Sequence, residues 1–200
     1  MRPREMDRLI RHFDNYFEQS DCLVMHPSKA NPHIDALLYP PNAAHPYWKL
    51  VSMGASDHAM PALPNTLGNR NEYLMLIDPE EDMRDPAVAG WYYTRLMEIA
   101  LYPFATGTAV TYGHSMEWPP EEGEEMIGAF LEMPQFTRDA GALRCKLGWL
   151  KTTVCLQVIL LTRSDMDRLL QIGPQAFSDY LYPEEGRAHI LCERHRSEKF

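Results

Sequence analysis

The chain has 200 residues, of which 45% are apolar and 24% charged, a balance that supports one large core and excludes a disordered chain. Its formal net charge is -9, and its densest basic stretch, Arg194 to Lys199, is interrupted by His195, Ser197 and Glu198. Phosphate binding relies on clustered Lys and Arg, so nucleic acid is not an expected partner.

The first 20 residues place Arg2, Arg4 and Asp7 among apolar positions, unlike the apolar core of a signal peptide. The longest apolar run, Val154 to Leu161, contains Gln157 and falls well short of the roughly 20 residues that span a membrane. Four scattered cysteines, Cys22, Cys145, Cys155 and Cys192, form no CxxC pair, which argues for reduced thiols in the cytoplasm and against a zinc knuckle. A single domain over residues 1–200 is expected, with no membrane partner.

In chain order, Met6, Leu9, Ile10, Phe13 and Phe17 recur at helical spacing opposite a charged face, predicting an amphipathic helix over 4–18. Strands are predicted over His33 to Tyr39, ended by Pro40-Pro41, over Tyr47 to Met53, and over Glu72 to Ile77, with a proline-punctuated loop from Ser56 to Gly68. Asp85-Pro86 opens a helix carrying Val88, Tyr92, Leu96 and Ile99 and ending before Pro103, where a missing amide should stop it. Further strands are predicted over Thr108 to Tyr112 and Ile127 to Met133, separated by an acidic loop, Trp118 to Glu125. The run Leu150 to Leu161 is apolar on both faces, as a strand at the centre of a covered sheet should be. Ser164, with Asp167 three residues on, predicts a capped helix over Asp165 to Ile172 that stops at Gly173-Pro174. One more helical turn is expected around Phe177, Tyr180 and Leu181, and a polar, loose tail after residue 186.

Candidates for chemistry are sparse. His33-x-Asp35, Asp57-His58 and His114 supply carboxylate and imidazole groups, but none fits an established ligand spacing such as HExxH. Ser56-Asp57-His58 holds the side-chain types of a hydrolytic triad, which adjacent residues cannot assemble. Glu121, Glu122, Glu124 and Glu125 lie beside Gly123 and read as a solvated loop, with a docking site for a basic partner as the sharper option. Trp48 and Trp91 are assigned to the core, and Trp118, beside Pro119-Pro120, is the tryptophan expected to be exposed and to serve as a protein-binding anchor. No catalytic residue, metal ligand or cofactor-binding residue is assigned.

Several segments in fixed order resemble the Suppressor of Fused-like (SUFU) domain family. They are HIDALLYPP from His33, YWKLVSMGASDHAMP from Tyr47, RNEYLMLI from Arg70, WYYTRLMEIALYP from Trp91, GHS at Gly113 to Ser115, and VCLQVILLT with the helix after Ser164. The resemblance covers about residues 30–182. It implies an α/β (α+β) fold with a mixed sheet flanked by helices, and a role in binding protein. Animal members hold a transcription factor through a short extended peptide, by strand addition, and stand-alone bacterial members look like immunity proteins of toxin systems. The resemblance also places a partner site after the long helix, at Tyr102 and the Gly113-His114 turn, with Gly113 where some members carry an acidic residue.

The expectation is therefore a non-enzymatic protein-binding module without cofactors, acting as an immunity protein on a toxin, with Tyr102, His114 and Trp118 as contact residues. The rival readings are a metal-dependent hydrolase using His33, Asp35, Asp57 or His114, and a regulatory scaffold for a non-toxin protein.

Overall fold

The computed structural model describes residues 1–26, 32–61, 68–119, 123–182 and 190–195. Helix α1 (Pro3–Phe17) begins at a proline, where no amide is lost, and Glu5 accepts from the Arg2 backbone amide at 3.2 Å. It is followed by β1 (Leu23–Met25), β2 (Asp35–Tyr39), β3 (Trp48–Met53), a 3-10 turn at Ala55–Asp57, and β4 (Asn71–Ile77). The long helix α2 (Pro86–Thr106) leads to β5 (Ser115–Glu117) and β6 (Gly128–Glu132). A second 3-10 turn (Ala140–Leu143) precedes β7 (Arg144–Lys146), β8 (Thr152–Leu161), α3 (Arg163–Ile172) and α4 (Pro174–Leu181).

The strands form one mixed sheet in the order β1-β2-β3-β4-β8-β6-β5, with β7 also paired to β8. Among the named strands of the described residues only the central β4–β8 pair is parallel, in the register Asn71 to Val154 through Met75 to Val158. Alternate residues of each strand enter different layers. Ala36, Leu38, Leu50, Tyr73, Met75, Leu156 and Val158 pack with Val88, Tyr92, Leu96 and Ile99 of α2 on one face. On the other face, Leu37, Val51, Leu74 and Leu76 meet Leu9, Phe13 and Phe17 of α1, while Phe130, Ile159 and Leu161 meet Leu169, Phe177 and Leu181 of α3 and α4. Both faces are covered, which is why β3, β4 and most of β8 are buried at every position.

Several expectations change. Helix α2 runs through Pro103 to Thr106 and ends at Gly107, whose φ of 67° is left-handed. Pro103 is buried, so packing offsets the one amide it cannot donate, and Thr106 donates its hydroxyl to the Tyr102 carbonyl at 2.8 Å. The segment 108–112 is not a strand; Ala109 and Val110 are buried beneath α2, and the Val110 carbonyl accepts from the Asn71 side chain at 2.9 Å. The cap of α3 is Thr162 with Asp165, two residues before the predicted pair, because β8 leaves the sheet at Leu161. Gly173-Pro174 ends α3 and at once begins α4. Residues 190–195 are docked, since Cys192 is buried, bridges to Ile77 and donates its amide to the Leu76 carbonyl at 2.7 Å. The rest of the predicted loose tail, 187–189 and 196–200, lies outside the described residues, as do 62–67 of the predicted proline loop. All four cysteines are free thiols. Among the described residues, no helix is long and apolar enough to cross a membrane.

Candidate protein-binding surface

Ser52, Gly54 and Ser56 converge on one carboxylate. Glu72 of β4 has no exposed surface, and its oxygens accept from the Ser52 hydroxyl (2.6 Å), the Ser56 hydroxyl (2.6 Å) and the amides of Gly54 and Ser56 (both 3.0 Å). Burial pushes the Glu72 carboxyl up, while these four donors pull it down. Gly54 has a φ of 127°, and a Cβ there would lie 2.9 Å from the His33 carbonyl oxygen, so only glycine fits. Ser56 is buried and committed to Glu72, Asp57 pairs with Lys151 at 2.6 Å and with the chain's amino terminus, and His58 is exposed against Phe104. These three residues serve the fold, and no triad is formed.

The four ligand candidates do not assemble as a set. Asp57 is engaged as described, and His114 sits in a turn where its carbonyl accepts from Leu131 at 2.9 Å. His33 and Asp35 do meet, joined by His26, which the sequence reading passed over. His26 Nδ1 lies 2.8 Å and His33 Nε2 2.9 Å from the same Asp35 oxygen.

The predicted contact residues are dispersed. Tyr102 is 36% exposed on α2. His114 is half-buried beside Gly113, whose φ of 81° suits glycine better than the acidic residue of other members. Trp118 is half-buried, not exposed. Its indole N–H donates to the Met126 carbonyl at 3.0 Å, and the Arg95 guanidinium lies 5.3 Å from its ring centre. Arg95 also reaches Glu124, at 2.6 and 2.8 Å, and Glu124 accepts from the Trp91 indole at 2.7 Å. Glu124 thus belongs to a half-buried clamp around the buried Arg95 and not to a solvated loop; burial raises its carboxyl, and the Arg95 and Trp91 hydrogen bonds with the Arg95 charge hold it below its ordinary value. Glu121 and Glu122 lie outside the described residues.

The large exposed apolar groups are elsewhere. Between β7 and β8 the Gly148 amide donates to the Lys151 carbonyl at 2.9 Å, closing a turn whose two central residues are Trp149, 92% exposed, and Leu150, 95% exposed. Turns of this kind normally carry Gly, Asn or Asp, and β8 itself begins only at Thr152, so the predicted strand start at Leu150 is corrected. Arg8 of α1 braces the turn by donating to the Leu147 carbonyl at 2.6 Å. Around the tip stand Arg2, Arg8, Arg11, Arg70, Lys146 and Lys151, and among the described residues no carboxylate lines the two grooves beside it. Arg2 and Lys151 are neutralised by Glu5 and Asp57. Arg8, Arg11 and Lys146 make no ion pair with a carboxylate of the described residues. A protein of net charge -9 therefore displays a positive collar around an apolar tip.

Residues 30–194 match the family model for suppressor of fused protein (SUFU). A search of curated proteins returns no match. The fold is similar to that in a crystal structure of the Sufu-Fu complex, with a TM-score of 0.69 and 14% identity over 98% of this chain and 93% of that one. Drosophila Suppressor of Fused gives 0.65 and 15% over 98% of this chain, which spans 51% of that protein. A SUFU homologue from Neisseria gonorrhoeae gives 0.63 and 12% over 96% of this chain and 95% of that one. With the family model covering most of its length, and the sheet and helices those structures share, this chain belongs to the suppressor of fused (SUFU) family.

Proposed function

We propose that this chain is a protein-binding module without catalytic activity, working in the cytoplasm as an immunity protein that binds and neutralises a toxin. The observation that carries the binding reading is the Trp149-Leu150 tip. Two adjacent large apolar side chains left wholly in water, on a turn braced from α1, are what a docking anchor requires. The Sufu relative crystallised with Fu supports protein binding as the use of this fold.

The collar defines the partner's chemistry. A segment presenting an apolar side chain flanked by carboxylates would cover the tip and meet Arg8, Arg11 and Lys146. Tyr102, His114 and Trp118 are proposed as further contacts on a larger partner, since a stable interface needs roughly 1,200 Å² or more. The toxin reading rests on the likeness to stand-alone bacterial members.

The test is affinity capture of the full chain from its native cells, followed by expression of any stoichiometric partner alone and together with this chain. A partner that arrests growth alone and not in company supports the proposal. A stable partner with no toxicity overturns the immunity reading, and the absence of any stable protein partner overturns the binding reading.

A further inference from the structure

We propose that His26, His33 and Asp35 form a binding site for a first-row divalent transition metal, best suited to zinc, which staples the edge strand β1 to the sheet. The three ligand atoms lie within 4.8 Å of one another. Two imidazole nitrogens and one carboxylate oxygen are a donor set that zinc accepts, with bonds of about 2.0 to 2.2 Å, leaving a fourth position for water.

Each ligand is placed by the fold. Asp35 is the first residue of β2 and pairs with Met53 of β3; its side chain is only 8% exposed. His33 is held by the close approach of its carbonyl to Gly54. His26 follows Met25, which pairs with Ala36, so the β1–β2 register brings it opposite Asp35. The two imidazoles stand with ring centres 6.5 Å apart and planes 26° from parallel, both turned towards the same carboxylate oxygen. The oxygen-to-nitrogen separations of 2.8 and 2.9 Å are hydrogen-bond lengths. Tetrahedral zinc with bonds near 2.1 Å spaces its ligands by roughly 3.4 Å, so a metal replaces the bridging hydrogens after each gap opens by about half an ångström.

Strand β1 is short, lies at the sheet edge and exposes Leu23 and Val24. Among the described residues it pairs with β2 alone. A metal gripping the residue after β1 together with the first residue of β2 ties that edge down, so binding free energy becomes folding free energy for this corner.

The experiment titrates zinc chloride into the untagged, metal-free full chain by calorimetry, alongside His26→Ala, His33→Ala and Asp35→Asn, with His58→Ala as a control on an exposed histidine elsewhere. One zinc per chain is expected, with affinity at least tenfold weaker in each of the three variants and unchanged in His58→Ala. Zinc should also slow amide hydrogen exchange across Leu23–Met25 in the wild type and not in His33→Ala. Asp35→Asn keeps a hydrogen-bonding side chain, so it separates loss of ligation from loss of fold. Binding by the wild type no tighter than by His33→Ala, or unchanged exchange in β1 at saturating zinc, overturns the proposal.

Discussion

Glu72 receives both the hydroxyl and the amide of Ser56, at 2.6 and 3.0 Å, inside a core where neither residue has any exposed surface. The serine that most resembles a nucleophile in the sequence is thus a ligand for a buried carboxylate. Ser56→Ala removes a hydrogen bond to a fully buried carboxyl group and should cost about 1 to 3 kcal/mol. Glu72→Ala, which strands four donors, should cost more. Denaturant unfolding measures both, and a Ser56→Ala cost below about 0.5 kcal/mol would show that the network adds little.

Lys49 makes stability depend on alkaline pH. Its ammonium is buried, donates to Gln19 Oε1 at 2.6 Å and to the Pro40 carbonyl at 2.7 Å, and lies 5.5 Å from the centre of the Phe17 ring. Burial pushes its pKa down to about 8 from 10.5. Between those values the unfolded chain binds more protons than the native one, so this group's contribution rises as pH climbs from 8 towards 10.5. Wild type should gain stability relative to Lys49→Met across that window, read as the difference in Tm between the two at each pH. Comparing the pair cancels the cysteines and tyrosines, whose raised values lower stability in the same range.

Arg95 is 5% exposed, lies between the rings of Trp91 and Trp118, and is paired to Glu98 and Glu124. Its carboxylate partners keep 17% (Glu124) and 49% (Glu98) of their side-chain surface, so removing the guanidinium should cost about 1 to 3 kcal/mol, less than a fully buried pair would lose. Arg95→Met should fall near the lower limit and shift tryptophan fluorescence to the red as Trp118 loosens. Glu124→Gln should cost less, because Glu98 remains. The double variant should cost less than the sum, which a double-mutant cycle checks.

Much of the fold is legible because burial on both faces leaves largely apolar runs, as in Tyr73–Ile77 and Val154–Leu161, where Gln157 is the one polar residue, and because α1 shows its stripe openly. What was missed is short or long-range. Strands β1, β5 and β7 have three residues each, too few to show alternation, and each is defined by its pairing with the next strand in the chain and not by a pattern of its own. Pro103 suggested a stop that burial overrides, and the frames Thr162-x-x-Asp165 and Ser164-x-x-Asp167 are equal as sequence; the end of β8 selects the first. His26 joins His33 and Asp35 only through strand register. Leu150 reads as the start of an apolar run, although Gly148 and Lys151 around the Trp149-Leu150 pair are the available sign of a turn.

Partner binding depends most directly on the Trp149-Leu150 tip. Trp149→Ala with Leu150→Ala touches no buried group, so it should change unfolding free energy by no more than about 0.5 kcal/mol, while an interface anchor of this kind is worth roughly 2 kcal/mol or more. The decisive measurement is capture of the native partner by wild type and by this double variant at matched concentration and two salt levels. Loss of at least about 30-fold in affinity, in a variant that folds normally and whose parent binds more weakly as salt rises, is the predicted result. Equal capture by both proteins would contradict it.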